Sequence, residues 1–128
     1  MAQEKVSTKD RLIETATLLI WKNSFGSVSV DEICRQSGVQ KGSFYHYFPS
    51  KIDLALAVMD DCFEEMRPVL DNVFSVSTDP IERLENAADL IVQYQEDAYK
   101  TCGTVVGCAF AGLGSEMAHQ DERIRQRI

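Results

Sequence analysis

The stretch from Val28 to Lys51, VSVDEICRQSGVQKGSFYHYFPSK, constrains this chain more than any other. Ser29 followed by Glu32 is a capping box, in which hydroxyl and carboxylate each satisfy an orphan backbone donor at a helix start. A helix from about Val30 to Ser37 follows, with Val30, Ile33 and Cys34 turned inward. Gly38 permits a sharp turn, because glycine has no Cβ to oppose a left-handed backbone. A second short helix covers Lys41 to Tyr47. Pro49 closes it by pushing the preceding residue out of helical conformation. Two short helices joined by a glycine turn make a helix-turn-helix. Phe44 and Phe48 are four apart, so both point inward and anchor the second helix. Lys41, Ser43, Tyr45, His46 and Tyr47 crowd the same short helix, and the three at 45–47 cannot all be buried. Outward-facing side chains of these types suit groove edges, thymine methyls and phosphates. The helix start also presents unpaired backbone N–H groups to phosphate.

The rest of the chain reads as helices too, which makes the expected fold class all-α. Ser7 with Asp10 caps a first helix whose apolar face is Leu12, Ile13, Ala16, Leu19 and Ile20, a period near 3.6. Gly26 is placed to stop it. Ser50 with Asp53 starts a fourth helix carrying Leu54, Val58, Cys62 and Met66. Pro68, lacking a backbone donor, is expected to kink or end that helix. Asp79-Pro80-x-Glu82 is a strong helix start, and Ile81, Leu84, Ala88 and Ile91 are expected to point inward from the fifth helix. A break with two glycines over 101–107 precedes a sixth helix from Cys108 to Ala118, and a last helix begins near Asp121. No alternating run of useful length argues for a strand.

Charge is unevenly divided. Residues 1–55 carry seven Lys/Arg against six Asp/Glu, while 56–128 carry six against fourteen, giving the net charge of −7. Such a split suits a head that approaches phosphates and a body that stays off them, although it also describes a merely solvated face. Cys34, Cys62, Cys102 and Cys108 form no CxxC pair, and no histidine stands at zinc-finger spacing, so no structural metal and no cofactor are expected. The start MAQEKVSTKDR has no apolar core of a secretory signal, and no run reaches the ~18 apolar residues of a membrane span. A cytoplasmic protein with reduced thiols is therefore expected. Enzyme signatures are missing: there is no HExxH, no P-loop, no dinucleotide fingerprint and no Ser-His-Asp order. Gly112-x-Gly114 lacks a preceding strand, and His119 stands alone.

The run G-V-Q-K-G-S-F-Y-H-Y-F-P-S-K at 38–51 resembles the helix-turn-helix signature of the TetR family of transcriptional regulators. The likeness spans roughly residues 7–60. It implies a three-helix DNA-binding head, residues 1–52, followed by a helical ligand-binding body, residues 53–128. It also implies a homodimer that binds a double-stranded DNA operator, and repression relieved by a small-molecule effector. On the resemblance, Lys41 and Ser43 reach base edges or nearby phosphates, and Tyr45 and Tyr47 reach the backbone or thymine methyls. Gly42 lets the backbone approach DNA, and Lys51 grips a phosphate. Ser29 caps its helix or touches phosphate, and His46 is open between DNA contact and none. Gln40 departs from the Ser or Thr common at that cap, so it either caps weakly or itself reaches toward DNA. The body places Phe63, Met66, Tyr94, Tyr99, Cys108 and Phe110 as candidate ligand contacts, the alternative for each being simple core packing. Gly107-Cys108 resembles a subgroup with Gly-Cys at the start of the sixth helix. A thiol there either reacts as a thiolate or is a small buried group. Family members run longer, with two further helices that build the dimer's four-helix bundle. These are expected to be missing here. A helical protein-interaction module without DNA binding is the rival reading.

Overall fold

The computed structural model describes residues 6–128, and among them there are seven α-helices, one 3-10 turn and no strand. The helices are α1 Thr8–Lys22, α2 Val30–Ser37, α3 Lys41–Tyr47, α4 Lys51–Val73, α5 Pro80–Cys102, α6 Ala109–Met117 and α7 Glu122–Arg127. The all-α expectation holds. The chain divides into two compact units. One comprises the described part of Met1–Cys62 together with Cys108–Ile128, and the other is Phe63–Gly107. The division differs from a cut after residue 52: the start of α4, α6 and α7 all belong to the unit that holds the first three helices.

That first unit has one apolar core. Leu12, Ala16, Phe44, Ala55, Val58, Leu113 and Ile124 are completely enclosed, with Ile33, Leu54 and Met59 nearly so. The apolar face read from α1 is the face that is buried. The end of α1 differs from expectation. The helix stops at Asn23, whose backbone N–H and side-chain amide both donate to the Leu19 carbonyl. Gly26 lies beyond, inside the 3-10 turn Phe25–Ser27, which Ser24 and Ser27 cap reciprocally. An asparagine side chain that covers a terminal carbonyl stopped the helix before the glycine was reached.

At α2 the Ser29 hydroxyl accepts the Glu32 N–H at 3.1 Å, as the capping motif requires. The reciprocal half does not form. The Glu32 carboxylate turns along the helix to accept from Arg35 and Gln36, which hold its pKa below the usual carboxylate range. Gly38 ends α2 with φ 66°, a left-handed conformation that side chains oppose.

In the second unit, Pro68 sits inside α4 and does not end it; the helix runs on to Val73. Pro68 withholds only its own N–H, and its surface is exposed, so water can serve the carbonyl left over. The expectation for α5 fails. Ile81, Leu84 and Ile91 are each 64% exposed and Ala88 is exposed as well. No residue of α5 is buried. Helical periodicity correctly groups these residues on one side. Burial depends on what packs against that side, and here it stays exposed.

Candidate nucleic-acid interface

The second helix of the turn motif is sorted by the core beneath it. Phe44 is fully enclosed and Phe48 is 4% exposed, their rings 6.0 Å apart. Both belong to the cluster with Leu12, Ile33 and Leu54. With that face committed, Lys41, Gly42, Ser43, Tyr45, His46 and Tyr47 are all exposed. Tyr45 stands edge-on to Phe44 at 5.1 Å, and Tyr47 edge-on to His46 at 5.1 Å. Both tyrosine rings are thus presented at the surface, each against one neighbouring ring. A Cβ at Gly42 would meet nothing within 4 Å, so this side of α3 is open backbone. Gln40 occupies the cap of α3 and makes no side-chain cap bond, which leaves its amide available.

Two residues are placed differently from a simple outward-facing cation. Lys41 Nζ pairs with Asp31 of α2 at 2.7 Å. Asp31 raises the lysine pKa, chiefly through that hydrogen bond. Lys51 points back into the fold: its Nζ donates to the Phe25 carbonyl and lies 4.1 Å over the Phe25 ring. Burial pulls its pKa down, against the opposing pull of Glu116. Ser29 is exposed, and its hydroxyl is engaged in capping. Sequence reasoning missed Asp31 and Glu116. Neither belongs to a local motif with its partner, and only the folded arrangement brings each pair together.

The candidate ligand contacts are divided between the two units. Phe63, Met66, Tyr94 and Tyr99 fall in one unit, Cys108 and Phe110 in the other. Phe63 and Tyr99 are exposed, and Met66 and Tyr94 half-buried. Phe110 packs partly against the first unit's core. Cys108 is exposed and caps α6 without a side-chain bond. Of the six, Tyr99 lines an open groove of about 430 Å³ along α5, with Ile91, Val92, Gln95, Glu96, Lys100 and Val105. Among the described residues no group of His, Cys, Asp or Glu is arranged to hold a metal. Among the same residues no helix is long and apolar enough to cross a membrane.

A capped helix, a left-handed glycine and a short helix with one aromatic face buried and the other open define a helix-turn-helix protein. Residues 12–58 match the family model described as bacterial regulatory proteins, tetR family. Residues 12–58 thus carry the helix-turn-helix head of that family. It is 35% identical over 118 residues to the transcriptional regulator AcuR of Cereibacter sphaeroides, an alignment covering 91% of this chain and 52% of that protein. It is 26% identical over 124 residues to the transcriptional repressor NemR of Escherichia coli, covering 94% and 59%. Among solved structures, the regulatory protein TetR from Rhodobacter sphaeroides superposes with a TM-score of 0.73 at 31% identity, covering 94% of this chain and 62% of that one. The chain thus spans between half and two thirds of the length of these relatives.

Proposed function

We propose that this protein is a DNA-binding transcriptional regulator of the cytoplasm and not an enzyme: a homodimeric repressor that leaves a palindromic operator when a small-molecule or electrophile effector binds. The observation that carries the DNA half is the division of α3, with Phe44 and Phe48 in the core and Lys41, Ser43, Tyr45, His46 and Tyr47 outside. A recognition helix needs that division, since it must be anchored on one face and readable on the other. Gln40, Gly42 and Ser29 border the same surface. Lys51 spends one of its three N–H donors on the Phe25 carbonyl and so braces the head, with the other two left to serve phosphate. Residues 1–52 act as the reading head and 53–128 as regulatory body. The effector half draws on the open apolar side of α5, where Tyr99 lines the groove, and on Phe63, Met66 and Tyr94 of the same unit. In the other unit, Phe110 and the exposed Cys108 thiol are proposed by themselves as effector-sensitive residues.

Selection of bound duplexes from a random pool, followed by salt titration of the winner, tests the reading. A palindromic winner is expected, with affinity falling steeply as salt rises, because each neutralised phosphate releases counterions. No enrichment, with binding indifferent to salt, would hand the protein to the interaction-module reading.

Asp31 gives a second test. Its carboxylate competes with phosphate for Lys41, so Asp31→Asn is expected to tighten duplex binding at low salt. Both partners are exposed, so the gain is expected to be no more than about fivefold. The gain should vanish at high salt. Anisotropy titrations that overlay those of the wild type at every salt concentration would remove Lys41 from the interface.

A further inference from the structure

We infer that Glu116 of α6 is a positioning residue for the helix-turn-helix, holding by its carboxylate the turn from which α2 begins. The inference rests on the DNA-reading role of α3 for its functional consequence, but the positioning itself does not. The 3-10 turn Phe25–Ser27 opens with two backbone N–H groups that need acceptors. Glu116, some ninety residues later in sequence, supplies both. Oε2 accepts the Phe25 N–H at 2.9 Å and Oε1 accepts the Gly26 N–H at 2.7 Å. The carbonyl of the same Phe25 accepts from Lys51, the first residue of α4. One short turn is therefore gripped by an anion from α6 and a cation from α4, and Val28 and Ser29 lead directly from it into α2.

The grip has a firm base. Leu113 and Met117, on either side of Glu116 along α6, are buried in the core shared with α1, α2 and α3. Gly114 lies against the Ile128 side chain, where a Cβ would stand 2.8 Å from Ile128 Cδ1. On the other side, a Cβ at Gly26 would stand 2.8 Å from Glu116 Oε1, so this glycine is what lets the carboxylate seat. Hydrogen bonds to an ionised acceptor are about twice as strong as neutral ones, and a two-oxygen acceptor fixes direction as well as distance. A neutral amide at 116 keeps one acceptor and turns a donor toward the second N–H, so it cannot replace the carboxylate.

Two substitutions in the full chain break the contact from opposite sides: Glu116→Gln removes the second acceptor, and Gly26→Ala displaces the carboxylate. Exposed Glu85→Gln is the control. Hydrogen exchange is expected to quicken about tenfold or more at the Phe25 and Gly26 amides and to rise across α2 and α3, with the two substitutions non-additive when combined. Affinity for the selected operator duplex is expected to fall about tenfold while the melting temperature stays close to that of wild type. Exchange in α2 and α3 that matches wild type overturns the inference. So does an affinity loss that merely tracks a loss of global stability. If wild-type protein binds no duplex, the DNA-reading proposal fails, and the exchange pattern across α2 and α3 still decides whether Glu116 positions them.

Discussion

Phe44→Ala is expected to destabilise the head by about 3–5 kcal/mol, the usual cost of deleting a buried aromatic ring and leaving its cavity. Phe44 has no exposed surface, faces Phe48 and Tyr45, and shares its cluster with Leu12, Ile33, Leu54 and Leu113. It lies on a helix of seven residues, too short to persist without tertiary packing. Losing the ring therefore removes most of what keeps α3 folded. Thermal unfolding should show a fall of more than about 10 °C. A loss below about 1 kcal/mol would mean that α3 does not owe its position to this core, and the division of its two faces would lose its basis.

The opposite face should behave in the opposite way. Replacing Tyr45 and Tyr47 together by alanine is expected to weaken operator binding by about a hundredfold, taking ~1–3 kcal/mol for each side chain that meets a base edge. Stability should change far less, because the two residues are 47% and 42% exposed. The edge contact of Tyr45 with Phe44 accounts for ~0.5–1.5 kcal/mol of whatever is lost. Phenylalanine at both positions separates the ring from the hydroxyl: retained affinity assigns the work to stacking against sugars and thymine methyls, lost affinity to hydrogen bonds with phosphate. Equilibrium titration beside a melting curve reads both quantities. A double variant that binds as well as wild type would show that α3 is not the reading helix.

The pair of helices that carries the proposed function was legible residue by residue in the chain. Ser29, Gly38 and Pro49 act on the backbone within a few residues of themselves, so the bounds of α2 and α3 need no knowledge of the fold. The inward and outward faces of α3 were legible for the same reason, since Phe44 and Phe48 are related by helical geometry alone. The first helix shows where local reading stops short: Asn23 and Gly26 are both plausible terminators, and the side-chain bond to the Leu19 carbonyl favoured the earlier one. At α5 the apolar period was real and the burial inferred from it was not. A period says which residues share a face, and burial depends on what else is present to lie against it.

Lys51 and Glu116 mark the other boundary. A lysine at the start of a helix reads as a surface cation, but here the Phe25 ring and carbonyl draw it inward. A glutamate near the end of α6 reads as solvated, but here it accepts from two backbone N–H groups. What the sequence by itself determined is the local architecture: the caps, the left-handed turn, the split faces of the short helices, and the all-α class. What only the tertiary structure decided is which charges are spent inside the head and which apolar face stays uncovered. Caps and turns are settled by atoms a few bonds apart, whereas the partner of a charge or an apolar face is settled by chain that returns from dozens of residues away.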